Sequence, residues 1–347
     1  MRFRGQSYHS LVKKLASVIG MVLGLGFLAW LAWAFPLATW QESLSLLPPS
    51  TLALALLALL LTYVLRAWRL TLEFSAFPLL SLARALRIVV LHNAMLNVMP
   101  FRSGELAFPW LLKRVAAVPL LRATGSLLWL RFQDACVVAL LGIWVWPMDT
   151  MGWRLVLTLG LVMGVLFAHF MLRSEWSFLR TATQGWRAKL AALQEGLRHG
   201  QQQWLGSWLI TLANWVLKLS VQAALLVLLL DIAWSLGYSG ILGAELSAFL
   251  PIQGVAGLGT FEAGTALALG MHGVEWKPAL QAAALVHAVM LLNSLLWRSL
   301  WDSPGDPSKL WKIGPHERSR PPQPPDRLGR GAHVQRDRQR GPVGATF

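Results

Sequence analysis

The chain has 347 residues, of which 55% are hydrophobic and only 14% are charged, and its mean hydropathy is +0.51. Soluble proteins are about a quarter charged, so this composition excludes a soluble enzyme or a nucleic-acid-binding domain, although the net charge is +15. A single cysteine excludes a disulfide framework and a cysteine-rich metal site. The 19 tryptophans, a residue type enriched at membrane interfaces, agree with a polytopic membrane protein.

Six apolar segments are each long enough for a helix that crosses a bilayer, which needs about 20 residues. We predict six spanning helices over Leu15–Phe35, Thr51–Leu72, Arg122–Trp146, Trp153–Leu172, Trp204–Leu236 and Lys277–Leu300. Basic residues precede the first segment, as they do in a secretory signal peptide. Its 21 residues and the bulky tryptophan inside its Ala-x-Ala sequence favour an uncleaved span instead.

Two further apolar stretches are interrupted by proline, glycine and polar residues. Leu86–Val118 is broken at residues 99–105, and Ser239–Met271 is broken at residues 251–259. Each half is too short to span a bilayer alone. Irregular backbone is tolerated at membrane depth only where protein or a water-filled cavity surrounds it. We therefore predict two re-entrant helical hairpins.

The distribution of basic residues predicts the orientation. With the N-terminus in the cytoplasm, 17 of the 22 basic residues before residue 302, including Arg66 and Arg69, lie on the cytoplasmic side, against Arg154 and Lys277 outside. The hairpins then enter from opposite sides, and the order span, span, hairpin, span occurs twice in opposite orientation, as in inverted-repeat transporters. We predict an all-α inverted repeat in the cell inner (cytoplasmic) membrane, with both termini cytoplasmic.

The domain organisation follows from the same patterns. We predict a transmembrane domain over residues 1–301, with repeat one at about 10–146 and repeat two at about 152–300. Residues 302–347 contain 8 of the 18 prolines, with 9 lysines and arginines against 5 acidic residues. Because such a composition cannot bury a core, we predict a disordered, basic cytoplasmic tail.

Ionisable residues at membrane depth are costly, and they usually face a partner or an aqueous cavity. Arg131 and Asp134 are three residues apart on one helix face. They predict either an ion pair that only packs helices or one wall of a polar cavity. Lys218 has an amide side chain four residues before it and another four residues after it. Such a polar stripe faces a partner or a cavity rather than lipid.

The first break carries three candidate residues. Arg102 at its tip is placed to pair with Glu105 or to meet an anion, because a cation is the wrong sign for a helix start. Glu105 opens the second half-helix, so capping is its alternative role. Asn97 shares one face of the first half-helix with Asn93.

The second break contains Gly257 and Gly259, which precede a helix start. Glycines in that position leave backbone N–H groups open to an anion. Glu262 follows in the first turn of the helix. It either contributes to this polar site or only caps its own helix.

Three runs in this order resemble the lysylphosphatidylglycerol synthase/flippase-like transmembrane family. They are Asn97-Val98-Met99-Pro100-Phe101-Arg102-Ser103-Gly104-Glu105, Arg131-Phe132-Gln133-Asp134 and Gly257-Leu258-Gly259-Thr260-Phe261-Glu262. The resemblance covers roughly residues 10–300 and implies the lipid-translocating membrane domain, without the aminoacyltransferase-like domain of the best-known members. It also implies that Arg102, Glu105, Arg131, Asp134 and Glu262 belong to a polar cavity. After Glu105 the chain reads Leu-Ala-Phe-Pro, where members commonly carry an arginine, so the resemblance implies no particular headgroup.

We hypothesise a lipid flippase-like transporter that moves a phospholipid or lipid-linked headgroup across the membrane by alternating access. Arg102, Arg131 and Lys218 would hold a lipid phosphate. The carboxylates predicted to balance charge are Glu105, Asp134 and Glu262. Two alternatives stay open: a non-transporting membrane partner of a lipid- or glycan-synthesis enzyme, and a membrane-embedded lipid transferase. We expect membrane lipids as partners, and no enzyme activity, cofactor, metal or nucleic acid.

Overall fold

The computed structural model describes residues 22, 24–77, 79–98, 104–146, 150–173, 184–199, 204–248 and 255–301. Every regular element in these ranges is helical. Twelve α-helices follow in chain order within them: α1 Gly24–Ala34, α2 Leu37–Ser45, α3 Pro49–Glu73, α4 Leu82–Val98, α5 Ala107–Ala116, α6 Leu120–Val145, α7 Met151–Arg173, α8 Gly185–His199, α9 Trp204–Leu230, α10 Trp234–Ser247, α11 Thr260–Gly270 and α12 Trp276–Trp301. A 3-10 turn, Val255–Gly257, precedes α11.

Five helices of the described part are long and apolar enough to cross a membrane, namely α3, α6, α7, α9 and α12. They confirm an all-helical, multi-pass membrane protein, and each overlaps one of the predicted spans. Most of the first half of the predicted span Leu15–Phe35 lies outside the described residues, and α1 is its described part. In the apolar stretch of α12 that could cross a membrane, 61% of the residues are buried inside the protein, whereas none are in that of α7. α12 is therefore a central helix of the bundle and α7 a peripheral one.

Prolines and left-handed residues set several helix boundaries. α3 begins at Pro49, a position where the missing N–H costs no helical hydrogen bond, and α6 begins directly after Pro119. α9 ends before Asp231, whose φ is +50°. This turn corrects one predicted boundary: Trp204–Leu236 is not one helix but all of α9 and the start of α10. Apolar residues continue across the turn, so hydropathy alone does not reveal it.

Two helices, α2 and α8, were not predicted, since neither has an apolar run of spanning length. α8 packs closely on α6, where Gly125 and Gly196 bring the two backbones into contact. Arg122 on α6 forms an ion pair with Glu195 on α8 at 3.2 Å. The hydroxyl of Ser126 donates to the carbonyl of Gly196 at 3.2 Å. A region that the charge pattern treats as a cytoplasmic loop is therefore a helix fixed to the helix bundle.

Each of the two broken stretches forms a pair of short helices, one on either side of its break. α4 and α5 flank the first break, and α10 and α11 flank the second. α10 and α11 pack backbone to backbone at Gly243 and Gly264, where an added Cβ would meet the opposing carbonyl. The tips at 99–103 and 249–254, and the predicted tail at 302–347, lie outside the described residues.

The two largest apolar clusters of the described residues form most of the core, and a small third one joins α11 to α12. The first joins α3, α6, α9, α10 and α12 around Leu59, Leu226 and Ile241. The second joins the other half of α3 to α4, α5 and α6 around Ile88 and Leu112. Both clusters contribute apolar lining to one polar cavity between these helices.

Candidate functional site

A cavity of about 420 Å³ lies between α3, α4, α5, α6, α9 and α10. Its wall contains four cationic side chains and three carboxylates, together with one histidine. These residues are Arg66, Arg69, Arg131, Lys218, Glu105, Asp134, Glu245 and His92. With the histidine neutral, four cations against three carboxylates leave one positive charge in the wall.

Asp134 on α6 is held by donors from three helices. Arg69 of α3 contacts its Oδ1 at 2.6 Å, and the indole N–H of Trp215 on α9 donates to the same oxygen at 3.2 Å. Arg131 of α6 reaches the other oxygen at 3.4 Å, which is the predicted pair between positions i and i+3. Arg69 is 5% exposed and also donates to the carbonyl of Leu130 at 2.8 Å. The pair is therefore both a packing element and part of the cavity wall.

Glu105 faces the cavity from the 3-10 turn 104–106, directly before α5. Arg131 donates to its carboxylate from Nη2 at 2.8 Å and from Nε at 3.2 Å, and His92 Nε2 lies 3.7 Å away. The N-cap of α5 is Leu106 without a side-chain capping hydrogen bond, and the first turn has no acidic residue. Glu105 thus binds a cation across the cavity wall rather than capping its helix, and Arg131 bridges Glu105 to Asp134.

Lys218 of α9 forms a second ion pair in the wall. Its Nζ lies 2.6 Å from Oε1 of Glu245 on α10 and 4.7 Å from the ring centroid of Trp215. Gln222, one turn along α9, donates to the same carboxylate oxygen at 3.4 Å. Lys218 and Gln222 therefore face a partner, as their spacing predicts, and Lys218 also lines the cavity. Asn214, the amide four residues before Lys218, is buried and lines neither this cavity nor a smaller one beside it.

Three cavity residues were missed at the sequence level. The charge pattern counts Arg66 and Arg69 among the cytoplasmic charges, but both lie on α3 and line the cavity. Helical spacing was the available signal that one face of α3 is polar, because polar residues recur there every three or four positions, at Thr62, Arg66, Arg69 and Glu73. Arg66 forms no ion pair with any other described residue. The third missed residue is Glu245 on α10, which the sequence analysis does not assign to the site.

A smaller cavity of about 90 Å³ adjoins α12 and shares Arg66, Asn93 and Lys218 with the larger one. Asn97, a predicted site residue, lines the smaller cavity and donates to the hydroxyl of Ser294 at 3.0 Å. The shared residues lie between the two spaces. Arg102, the other predicted cation of the first break, lies outside the described residues.

Glu262 has a separate environment and does not line the larger cavity. Its Oε2 accepts the backbone N–H of Gly259 at 2.7 Å, and its Oε1 lies 2.7 Å from Nδ1 of His287. The other ring nitrogen of His287 contacts the carbonyl of Ala256 at 3.0 Å. Glu262 is 1% exposed, so of its two predicted roles the structure shows the cap.

Gly257 and Gly259 complete this second arrangement. Their φ angles are +80° and +86°, in the left-handed region that glycine adopts readily. They allow the chain to turn into α11 so that the N–H of Gly259 meets Glu262. That N–H is already engaged, and neither glycine lines the larger cavity.

The family comparison agrees with the helical cavity. A model of the lysylphosphatidylglycerol synthase TM region matches residues 17–297. No curated protein and no solved structure gives a match to the chain. Since the matched region covers most of the sequence and nearly all described helices, the chain belongs to the lysylphosphatidylglycerol synthase TM-region family, a membrane-protein family related to lipid handling.

Proposed function

We propose that the chain moves an anionic, phosphate-bearing lipid headgroup across the cell inner membrane. The observation that carries this proposal is the charge of the larger cavity, in which four cations face three carboxylates. Arg66 contributes the excess charge, because it forms no ion pair within the described residues. A cation that lacks a direct ion-pair partner inside a membrane bundle is costly, so a bound anion would stabilise it.

The roles of the remaining residues follow from their contacts. Arg66 and Lys218 touch both cavities, and the side chain of Arg131 is 37% exposed, so these three would contact the phosphate. Glu105, Asp134 and Glu245 would position these cations. A volume of about 420 Å³ suits one small headgroup, since pockets for small molecules measure about 300–1,000 Å³. The acyl chains would remain in the lipid phase.

The order of the helices supports an inverted repeat. α1, α3, the pair α4–α5 and α6 are followed by α7, α9, the pair α10–α11 and α12. The helices α3 and α9 hold corresponding places, and α3 presents two cations to the cavity and α9 presents one. We propose that the two short pairs are re-entrant hairpins entering from opposite sides, with both termini cytoplasmic. Rocking of one repeat against the other would move the headgroup past Arg66 and Lys218.

A vesicle assay tests transport directly. The purified full chain is reconstituted into phosphatidylcholine vesicles containing a trace of phosphatidylglycerol labelled on its acyl chain. A membrane-impermeant reductant then bleaches the label in the outer leaflet. Empty vesicles should lose about half of the signal, because flip-flop without a protein is slow. Vesicles with the wild-type chain should lose nearly all of it, since each labelled lipid visits the outer leaflet.

The variant R66Q tests the assigned cavity, because it removes the excess cation without breaking an ion pair among the described residues. We expect the rate at limiting lipid to fall about tenfold, as for the loss of one charge-assisted contact of about 1.4 kcal/mol. The matched control K189A removes an exposed cation from α8 and should retain the wild-type rate.

A wild-type rate for R66Q would refute the assigned headgroup site. Equal bleaching of wild-type and empty vesicles would refute transport by the chain alone. The partner-subunit hypothesis would then become the leading one, and conversion of the labelled lipid to a product would favour the transferase.

A further inference from the structure

The last residue of α3, Glu73, is a carboxyl group that has no part in the ion pairs of the cavity. It is 6% exposed, and both of its oxygens are shielded from solvent. Neither oxygen has a hydrogen-bond partner among the described residues. An isolated buried carboxylate is strongly disfavoured relative to the neutral acid, so such a group takes up a proton.

The surroundings of Glu73 contain two cations, and both are engaged by other carboxylates. Arg69, one turn earlier on α3, pairs with Asp134 at 2.6 Å. Arg122 on α6 pairs with Glu195 of α8 at 3.2 Å. The nearby hydroxyl of Ser126, also on α6, donates to a carbonyl of α8. Both terminal nitrogens of Arg69 are engaged, Nη1 by Asp134 and Nη2 by the carbonyl of Leu130. Arg122, in contrast, has a buried Nε without a hydrogen-bond partner among the described residues.

Although α4, α9 and α12 also pack against α3, the described charges that act on this carboxyl group are Arg69 and Arg122. α9 approaches Leu72 through Gly206, and the charged side chain of α9 is Lys218, which is paired with Glu245. On α4, Arg84 is exposed and donates to the carbonyl of Leu79 at 2.6 Å. The position of Glu73 next to Arg69 is therefore its one link to the cavity within the described residues.

We propose that Glu73 is a proton-binding site that couples protonation to the state of the cavity. With the proton bound, Arg69 stays on Asp134, as in the structure. When the proton leaves to the aqueous phase, the carboxylate attracts Arg69 and weakens its pair with Asp134. Asp134 is then shared by one cation fewer and is held more by Arg131, so the cation arrangement for the headgroup changes. This step rests on the proposed transport function, which thereby gains a pH dependence.

Infrared spectroscopy of the purified full chain tests the proton site without any transport measurement. The wild-type difference spectrum between mildly acidic and mildly basic buffer should contain the carbonyl stretch of a protonated carboxyl group. We expect E73Q to lose this band and the control E42Q, at an exposed position of α2, to retain it. A band that survives in E73Q, or that is absent from the wild type, overturns the proposal.

A second measurement uses only the wild-type chain, in case E73Q does not fold. A hydrophobic carbodiimide forms an N-acylurea with a protonated carboxyl group in an apolar site, and peptide mass mapping locates the adduct. We expect the adduct on Glu73, with less of it in basic than in acidic buffer. Labelling of the other membrane carboxyls without Glu73 contradicts the proposal.

The vesicle assay then tests coupling. The wild-type rate should change several-fold between the two buffers, whereas the E73Q rate should be the same in both. A wild-type rate independent of pH, or an E73Q rate with the wild-type dependence, overturns the coupling. If the wild type moves no lipid at all, the transport function fails, while the infrared and labelling results still decide whether Glu73 binds a proton.

Discussion

The two breaks in the helical bundle each have a glutamate close after a glycine, and the structure uses the two carboxylates differently. Glu105 follows Gly104 and contacts Arg131 in the wall of the larger cavity. Glu262 follows Gly259 by three residues, caps α11 and contacts His287. A similar sequence signature thus yields an accessible ion pair in one half and a closed, buried cap in the other.

The difference arises from what stands opposite each carboxylate. The long side chain of Arg131 reaches Glu105 from α6 and remains 37% exposed. The ring of His287 lies against Glu262 and fills the space around it, leaving that residue 1% exposed. We infer that the first break supplies charges that respond to a ligand, whereas the second supplies a rigid support.

The largest expected effect is on stability, through E262A. The substitution removes the acceptor of the Gly259 N–H and leaves His287 buried without its carboxylate, so we expect a loss of about 3 kcal/mol. E105A should cost about 1 kcal/mol, because Arg131 retains Asp134 and contact with water. Thermal unfolding in detergent, followed by tryptophan fluorescence, measures both, with E42A as an exposed control. An equal loss in E262A and E105A would remove the distinction between the two breaks.

G259A tests how much the backbone conformation at the second break contributes to stability. A Cβ at this position meets no atom closer than 3.6 Å, so the cost comes from the φ of +86° and should be roughly 1–2 kcal/mol. G142A is the matched control, because Gly142 lies inside α6 with open space around it. That change should stabilise the protein by roughly 0.5–1 kcal/mol. Unfolding curves that shift in the same direction for both variants would contradict the backbone assignment.

R131K tests whether the charges at the first break contribute to transport. Lysine keeps the charge but cannot reproduce the two contacts that Arg131 makes with Glu105 from Nε and Nη2. We expect the rate in the vesicle assay to fall about fivefold, equivalent to about 1 kcal/mol, with little change in unfolding temperature. The control K189R alters an exposed cation of α8 and should leave the rate unchanged. A large loss of stability in R131K with an unchanged rate would make the pair a packing element.

The sequence was sufficient to predict the features that depend on hydrophobic composition and on the spacing of residues along one helix. Hydropathy located α3, α6, α7 and α12 to within a few residues, because an apolar run of that length has few alternatives in a membrane. Spacing on one helix predicted the Arg131–Asp134 pair. Contacts between helices were not accessible in this way: Arg69 lies 65 positions from Asp134, and nothing local connects them. Assigning basic residues to the two sides of the membrane also placed Arg66 and Arg69 on the cytoplasmic surface. That assignment does not consider that α3 continues to Glu73 and includes both arginines.

The smallest expected effect concerns Asn97, which the sequence pattern assigns to the substrate site and the structure places beside the smaller cavity. N97A removes one donor to Ser294, so we expect a stability loss of about 0.5–1 kcal/mol and a transport rate within about twofold of wild type. N93A is the informative comparison, because Asn93 lines both cavities and also donates to the hydroxyl of Tyr63 at 2.8 Å. If the headgroup passes from one cavity to the other, N93A should slow transport more than N97A does. The reverse order would instead assign the transport route to the side of the smaller cavity that Asn97 lines.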